Sequence, residues 1–561
     1  MSLPLLAFGV LVVLALGYRV YGGFLSRQFQ VDPSAPTPAH ARNDGVDFVP
    51  TKPFYLLGQH FSAIAAAGPI AGPILAAQQF GWLPALLWIA LGVIFIGAVH
   101  DFSTLMASVR HDARSIAEVI RLNLGPGAGT AMLAFIWIAL LYVIVAFVDV
   151  TASTFVSADA ELAGLTFQFN PGGAVAFAST TYLVLALVMG IVDRFLRPPL
   201  WLQTLLFVPA TLGLVWLGTR YSTLFLLDAK TWAVLILVYC FAASLTPVWV
   251  LLQPRGYLGG FILYLALAVG VIGMLFGGFE VEAPAFTGWR TPGDTGLLFP
   301  FLFVTIACGA CSGFHGLVCS GTTSRQVANE SHCKPIGYGA MLLEGFVAVM
   351  ALATVMIATS GSLVGKAPGA VYGTGLGRFM TVIIGEQNLV FAITFGAMAF
   401  STFVFDTLDV STRLGRYILQ ELFGWRGRIA AIGATGITCA VPFLFVWLAE
   451  AGSWRVFWTL FGTSNQLLAA LSLMGITVWL KKSGRRYGFA LWPMLFVTAV
   501  TYSSLVFQIR DAFFGGTATA VQQLNGGVSV LLLGLAASLS WYCARALLQK
   551  EPRAMSLPGE A

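Results

Sequence analysis

The sequence predicts an all-α polytopic membrane protein of about fifteen transmembrane helices, folded as an inverted repeat with two discontinuous helices. Three observations carry this. The 561 residues are 58% hydrophobic and only 10% charged, against about 25% charged in an ordinary soluble domain. The apolar residues gather into stretches of roughly 20, the length a spanning helix needs. Two of those stretches are interrupted in matching positions by clustered Gly and Pro. A soluble chain of this size could not bury so much apolar surface in one core.

In chain order the predicted spans are 3–20, 53–76, 82–109, 127–156, 174–193, 199–218, 231–250, 257–279, 297–320, 336–360, 388–408, 428–449, 455–480, 488–508 and 522–547. The first run has no basic residue before it; Arg19 and Arg27 come after it. That predicts a retained first helix and not a cleaved signal, which needs a positive leading region. With the N-terminus outside, 23 of the 30 Lys and Arg residues fall in inside segments and 7 in outside ones. Cytoplasmic loops carry that excess, so the sequence predicts an N-terminus outside and a C-terminus in the cytoplasm.

Residues 27–52 form a polar, Pro-rich inner linker. Residues 110–124 and 411–424 read as short amphipathic helices at the inner interface or as plain connecting loops. The net charge of +6 comes from basic residues scattered singly between apolar runs, so no nucleic-acid partner is expected. Cys308, Cys311, His315 and Cys319 share one helical face, but no second ligand cluster accompanies them, and no metal or cofactor is expected. P-loop, HExxH and GxSxG motifs are absent from the sequence, so no enzyme activity is expected either.

The second span contains GQHFSAIAAAGPIAGP and the ninth ACGACSGFHGLVCSGTTS. Each interior Gly costs a helix about 1 kcal/mol and an interior Pro about 3. At membrane depth such breaks survive where backbone lines a cavity or is buried in protein, and close packing through small residues is the other use of glycine there. Paired breaks in oppositely directed spans are the mark of an inverted-repeat secondary-transporter core. Seven spans separate the two repeat starts; within each seven, five could form the core and the last two lie outside it. Ionisable residues within spans are costly and therefore functional candidates. Here they are His60, His100, Asp101, Asp149, His315, Glu344, Asp406 and Asp409.

GQHFSAIAAAGPIAGPILAAQQFGWLPALLW, GAVHDF, LLQPRGYL, LFPFLFVTIACGACSGFHGLVCSGTT, IGYGAMLLEG and FGTSNQLLAALSL follow one another along nearly the whole chain. In that order they resemble the carbon starvation protein A family. The resemblance implies a transporter region at 1–375 and a five-helix region at 378–548. It also implies kinship with the amino acid–polyamine–organocation superfamily and its five-plus-five inverted repeat, and nutrient uptake across a bacterial or archaeal inner membrane during starvation. Members are described as peptide transporters and as proton-coupled pyruvate transporters.

The expected function is secondary active transport, as a proton rather than a sodium symporter, of pyruvate or short peptides. The alternative is a membrane nutrient sensor that signals through a partner. Gln59, His60, Gly68 and Gly72 are expected to line one side of the substrate site, and Ser312, Gly313, His315, Thr322 and Thr323 the other. His100 and Asp101 are expected to serve ion coupling. The resemblance adds Asp406 and Asp409 to that role, with Arg413 neutralising one of them. The expected partners are a small-molecule substrate, a coupling cation and the lipid bilayer.

Overall fold

In hydrocarbon every backbone N–H and C=O must be paired within its own segment, so long apolar runs become helices. The computed structural model describes residues 1–549 except 46, 157–168, 292–295, 360, 362, 364, 450–452 and 517. Among the described residues it is helical, with isolated β-bridges only. The first half comprises α1 (Leu3–Gln28), α2 (Pro53–Ile64), α3 (Gly68–Phe80), α4 (Trp82–Arg110), α5 (Ile116–Leu124), α6 (Pro126–Phe155), α7 (Pro171–Leu196), α8 (Leu200–Arg220), α9 (Ala229–Leu245) and α10 (Leu252–Phe276). The second comprises α11 (Leu298–Thr305), α12 (Phe314–Gly321), α13 (Glu330–Met356), α14 (Pro368–Ile384), α15 (Leu389–Phe423), α16 (Arg428–Leu448), α17 (Trp454–Lys482), α18 (Gly488–Phe514) and α19 (Ala520–Leu548).

Twelve of the described helices are long and apolar enough to cross a membrane, or 13 if the bent pair α2–α3 is one span. The expected count of about fifteen exceeds this at two places. Helix α9 is apolar but only 17 residues long. The stretch 297–320 is two helices of 8 residues, α11 and α12, flanking an unwound segment. Two further elements differ from expectation. Residues 411–424 are not a separate interfacial helix but the end of α15, a continuous helix of 35 residues. Helix α14 occupies what reads as a loop; a stripe of glycines, Gly369, Gly373 and Gly377, seats it against Phe400, Ala397 and Ile393 of α15.

Packing pairs the elements as two sets of five. In one, α2/α3, α4, α6, α9 and α10 take the places that α11/α12, α13, α15, α16 and α17 take in the other. Helix α17 packs on α6 and on the short α5, as α10 packs on α15 and on the short α14. Helix α3 packs on α13 as α12 packs on α4, while α6 meets α15 and α9 meets α16 across the middle. The extra pairs are α7–α8 and α18–α19. The first lies between the third and fourth core helices, not after the fifth, and corrects the expected order. The reason it was illegible is that α7, α8 and α10 are all strongly apolar, and each is long enough to span. An inserted pair leaves parity unchanged, so the second repeat still starts from the opposite side.

Helix α17 is the axis of the bundle. Its membrane-spanning turns are wholly buried, and it is the least apolar of the long helices. Because protein and not lipid surrounds it, it tolerates Ser464, Asn465, Gln466 and Ser472 at membrane depth.

Candidate substrate vestibule and coupling site

The breaks are built from residues that cannot continue a helix and neighbours that take up the freed groups. Helices α2 and α3 are bent by 47° at Ala65–Ala67, just before Gly68-Pro69. In the second break, the carbonyls at the end of α11 receive three donor side chains from two helices, α4 and α17. The Trp88 indole reaches Phe303 O and Ile306 O at 3.2 Å, Trp458 reaches Thr305 O at 3.1 Å, and Gln466 reaches Phe303 O at 2.8 Å. Asn465 serves the other side of the gap. Its Oδ1 accepts from Phe314 N at 2.9 Å, its backbone O accepts from Gly313 N at 3.0 Å, and its Nδ2 donates to Ser312 Oγ at 3.1 Å. Gly313 must be glycine, since a Cβ there would lie 2.4 Å from Asn465 O.

The two broken segments cross through small residues. A Cβ on Gly72 would sit 2.6 Å from Thr305 O, and one on Gly68 would sit 2.3 Å from Cys308 Sγ. Both glycines therefore form the crossing contact, the close packing that small residues permit.

Below the crossing lies a fully buried ionisable chain. Asp101 accepts from His100 Nδ1 at 2.7 Å through Oδ1 and from His315 Nδ1 at 2.8 Å through Oδ2. His315 Nε2 faces Glu344 Oε2 at 3.1 Å. The four side chains come from α4, α12 and α13 and are at most 1% exposed. An imidazole can donate from both nitrogens only as imidazolium. With His315 in that form and both carboxylates ionised, the chain holds one net negative charge, which a single proton neutralises. His60 joins the edge of the group: Nδ1 lies 2.9 Å from Thr323 Oγ1 and Nε2 lies 3.9 Å from Cys319 Sγ. Cys319 in turn lies 3.5 Å from Asp101 O.

A cavity of about 590 Å³ lies on the other side of the crossing. It is walled by Gln78 of α3, Thr305 of α11, Thr359 after α13, Thr459 of α17, Gln508 of α18 and Asn525 of α19. The opposite end is shut. Arg110 pairs with Glu330 through two bonds of 2.8 Å, and Glu330 also accepts from Asp32 N at 3.0 Å. The linker 27–52 is tied down there by Thr51 N to Gln326 O at 3.0 Å and by Arg485 to Phe29 O.

The expected site residues thus separate. His60, His100, Asp101, His315 and Thr323 come together. Ser312 and Gly313 belong to the mended break, and Gly68 and Gly72 to the crossing. Gln59 and Thr322 are exposed, with the Thr322 hydroxyl on Val318 O at 3.2 Å. Asp406 and Asp409 lie apart on α15, and their cation is not Arg413. Arg255 of α10, fully buried, reaches Asp406 Oδ1 at 2.8 Å and Asp409 Oδ2 at 2.9 Å. Arg413 instead caps α9, donating to Ala243 O at 2.7 Å and Thr246 O at 2.9 Å. Tyr239 completes the cluster by donating to Asp409 at 2.9 Å. Asn465, Gln466 and Arg255 were not expected to take part; an isolated Arg opening the apolar run LLQPRGYLGG was the signal for the last.

Paired broken helices around a buried titratable chain, with a cavity at one end and an ion-paired seal at the other, define the class: an integral membrane transporter of the inverted-repeat type. The chain belongs to the carbon starvation protein CstA family, which it matches over residues 2–374 and 359–504. It is 33% identical over 588 residues to the "Peptide transporter CstA" of Bacillus subtilis, covering 93% of each chain. It is 30% identical over 655 residues to the "Pyruvate/proton symporter BtsT" of Escherichia coli, covering 94% of this chain and 89% of that one. The Escherichia coli "Peptide transporter CstA" is 33% identical over 570 residues, covering 86% and 77%.

Proposed function

We propose that the protein is a proton symporter that imports pyruvate or short peptides across a bacterial or archaeal cytoplasmic membrane. The observation that carries the coupling is the buried chain His100–Asp101–His315–Glu344, which links the second broken helix to two neighbours and, with His315 as imidazolium and both carboxylates ionised, is one proton short of neutral. Burial makes that charge costly, so taking up a proton and moving the helices that hold it are coupled events. Relatives bearing the names peptide transporter and pyruvate/proton symporter support the substrate and ion. The cavity of about 590 Å³ lies within the roughly 300–1,000 Å³ usual for small-molecule sites. In this conformation the vestibule is accessible and the Arg110–Glu330 end is sealed.

The test is uptake into proteoliposomes with proton and sodium gradients imposed separately. Saturable accumulation of pyruvate or a dipeptide should follow the proton gradient and vanish with a protonophore. Accumulation that follows sodium alone removes proton coupling, and binding without flux leaves the nutrient sensor.

The distribution of basic residues supports placing the vestibule outside and the Arg110–Glu330 seal in the cytoplasm. Single cysteines at 45 and 484 in intact cells should resist an impermeant maleimide, while one at 287 should react. Labelling of 45 and 484 from outside reverses the orientation.

A further inference from the structure

The vestibule has a charge character that the coupling chain does not explain. Among the described residues, two charged ones line it, Arg455 and Asp511. Asp511 is already matched, by Arg510 at 2.8 Å. Arg455, in the first turn of α17, is exposed and has no ion pair or side-chain hydrogen bond among the described residues; its guanidinium lies over the Trp454 ring at 5.0 Å. It is one of only 7 basic residues in segments expected outside.

A second feature of the same wall is independent of the first. Asn525 of α19 is 4% exposed. Tyr142 OH donates to its Oδ1 at 2.7 Å, which orients the amide, and its Nδ2 has no partner among the described residues. A buried donor left unsatisfied is costly, so this amide favours an acceptor. A guanidinium and an amide donor on one cavity, neither with a partner among the described residues, favour a solute group that accepts only and is negative. A carboxylate is such a group, and guanidinium binds it through paired N–H donors.

We propose that Arg455 and Asn525 form a capture site for the carboxylate of the solute, ahead of its passage by Thr305. The proposal rests on the transport reading and names the chemical group through which the solute is held. Pyruvate and the C-terminus of a dipeptide share that group, so both are used as probes, each beside its uncharged amide.

Uptake is measured in proteoliposomes for the wild type, Arg455→Gln, Arg455→Lys and Asn525→Asp, with thermal unfolding midpoints as a check on folding. Wild type should prefer each carboxylate over its amide. Arg455→Gln should raise KM tenfold or more, keep Vmax within twofold and erase that preference. Arg455→Lys should recover part of the loss, and Asn525→Asp should weaken uptake further by adding like charge. A KM within twofold of wild type for both Arg455→Gln and Asn525→Asp, with the preference intact, overturns the proposal. Should wild type transport neither probe, the transport reading fails separately. The capture site is then judged by quenching of tryptophan fluorescence with pyruvate and with the dipeptide. Quenching lost in Arg455→Gln supports it, and equal quenching in both proteins overturns it. A response to only one of the probes identifies which carboxylate is held.

Discussion

Asp101→Asn is expected to abolish concentrative uptake while leaving solute exchange across the membrane within a few-fold of wild type. Asp101 accepts one imidazole N–H on each oxygen, from His100 at 2.7 Å and His315 at 2.8 Å. The amide keeps the shape but replaces one acceptor by a donor, so one histidine loses its partner or rotates. It also removes the net negative charge that makes the chain bind a proton, because His315 as imidazolium would then balance Glu344 alone. A gradient of one pH unit is worth about 1.4 kcal/mol, or tenfold accumulation of a solute moved with one proton. The variant should therefore fall from roughly tenfold accumulation to equality in proteoliposomes, with counterflow of labelled solute retained. Glu344→Gln should behave alike, since it removes the same charge from the other end of His315. Full accumulation by Asp101→Asn at every pH tested would show that the chain is structural.

Arg255→Met is expected to cause the largest loss of stability of any single substitution in the bundle. Its guanidinium is wholly buried between Asp406 and Asp409, and Tyr182 OH is bonded to its backbone carbonyl at 2.9 Å. Removing one partner from a buried ion pair typically costs about 3–5 kcal/mol, because the remaining charge is left unpaired, whereas replacing the whole group is often neutral. Arg255→Met should lower the unfolding midpoint in detergent strongly or prevent recovery of folded protein. The triple variant Arg255→Met, Asp406→Asn, Asp409→Asn should regain most of that loss. A midpoint for Arg255→Met equal to wild type would show that the two carboxylates are satisfied without the guanidinium. The triple variant also separates roles: retained proton-driven uptake leaves Asp406 and Asp409 as an anchor between α10 and α15, and lost accumulation with retained exchange restores them to coupling.

Much of the site was visible in the sequence as a list of costly residues. His60, His100, Asp101, His315, Asp406 and Asp409 stand out because ionisable groups inside spans need a reason. Which partner each one meets was not visible. Asp409 and Arg413 are one helical turn apart and suggest a local pair, yet Arg413 points to the end of α9 and Arg255, over 150 residues earlier, fills the place. The glycines of the breaks were equally ambiguous, since a Gly-rich stretch can free its backbone for a ligand or admit a neighbour closely. Gly68 and Gly72 admit Cys308 and Thr305. In the second break Asn465, Gln466, Trp88 and Trp458 take up the freed groups.

By itself the sequence determined the solvent, the helical class, the places of the two breaks and the family. These depend on local composition: apolar runs long enough for a bilayer, helix breakers at fixed positions, and motifs in order. Only the tertiary structure decided the rest. Core membership of α9 and α10, and the peripheral place of α7 and α8, follow from packing between helices that are similarly apolar and so carry no distinguishing pattern. Helix α14 forms because α15 offers a surface for its glycine stripe, not because its own hydropathy calls for a span. The vestibule and the buried ionisable chain join residues hundreds of positions apart, and their contacts are set by how the two repeats close on each other around α17.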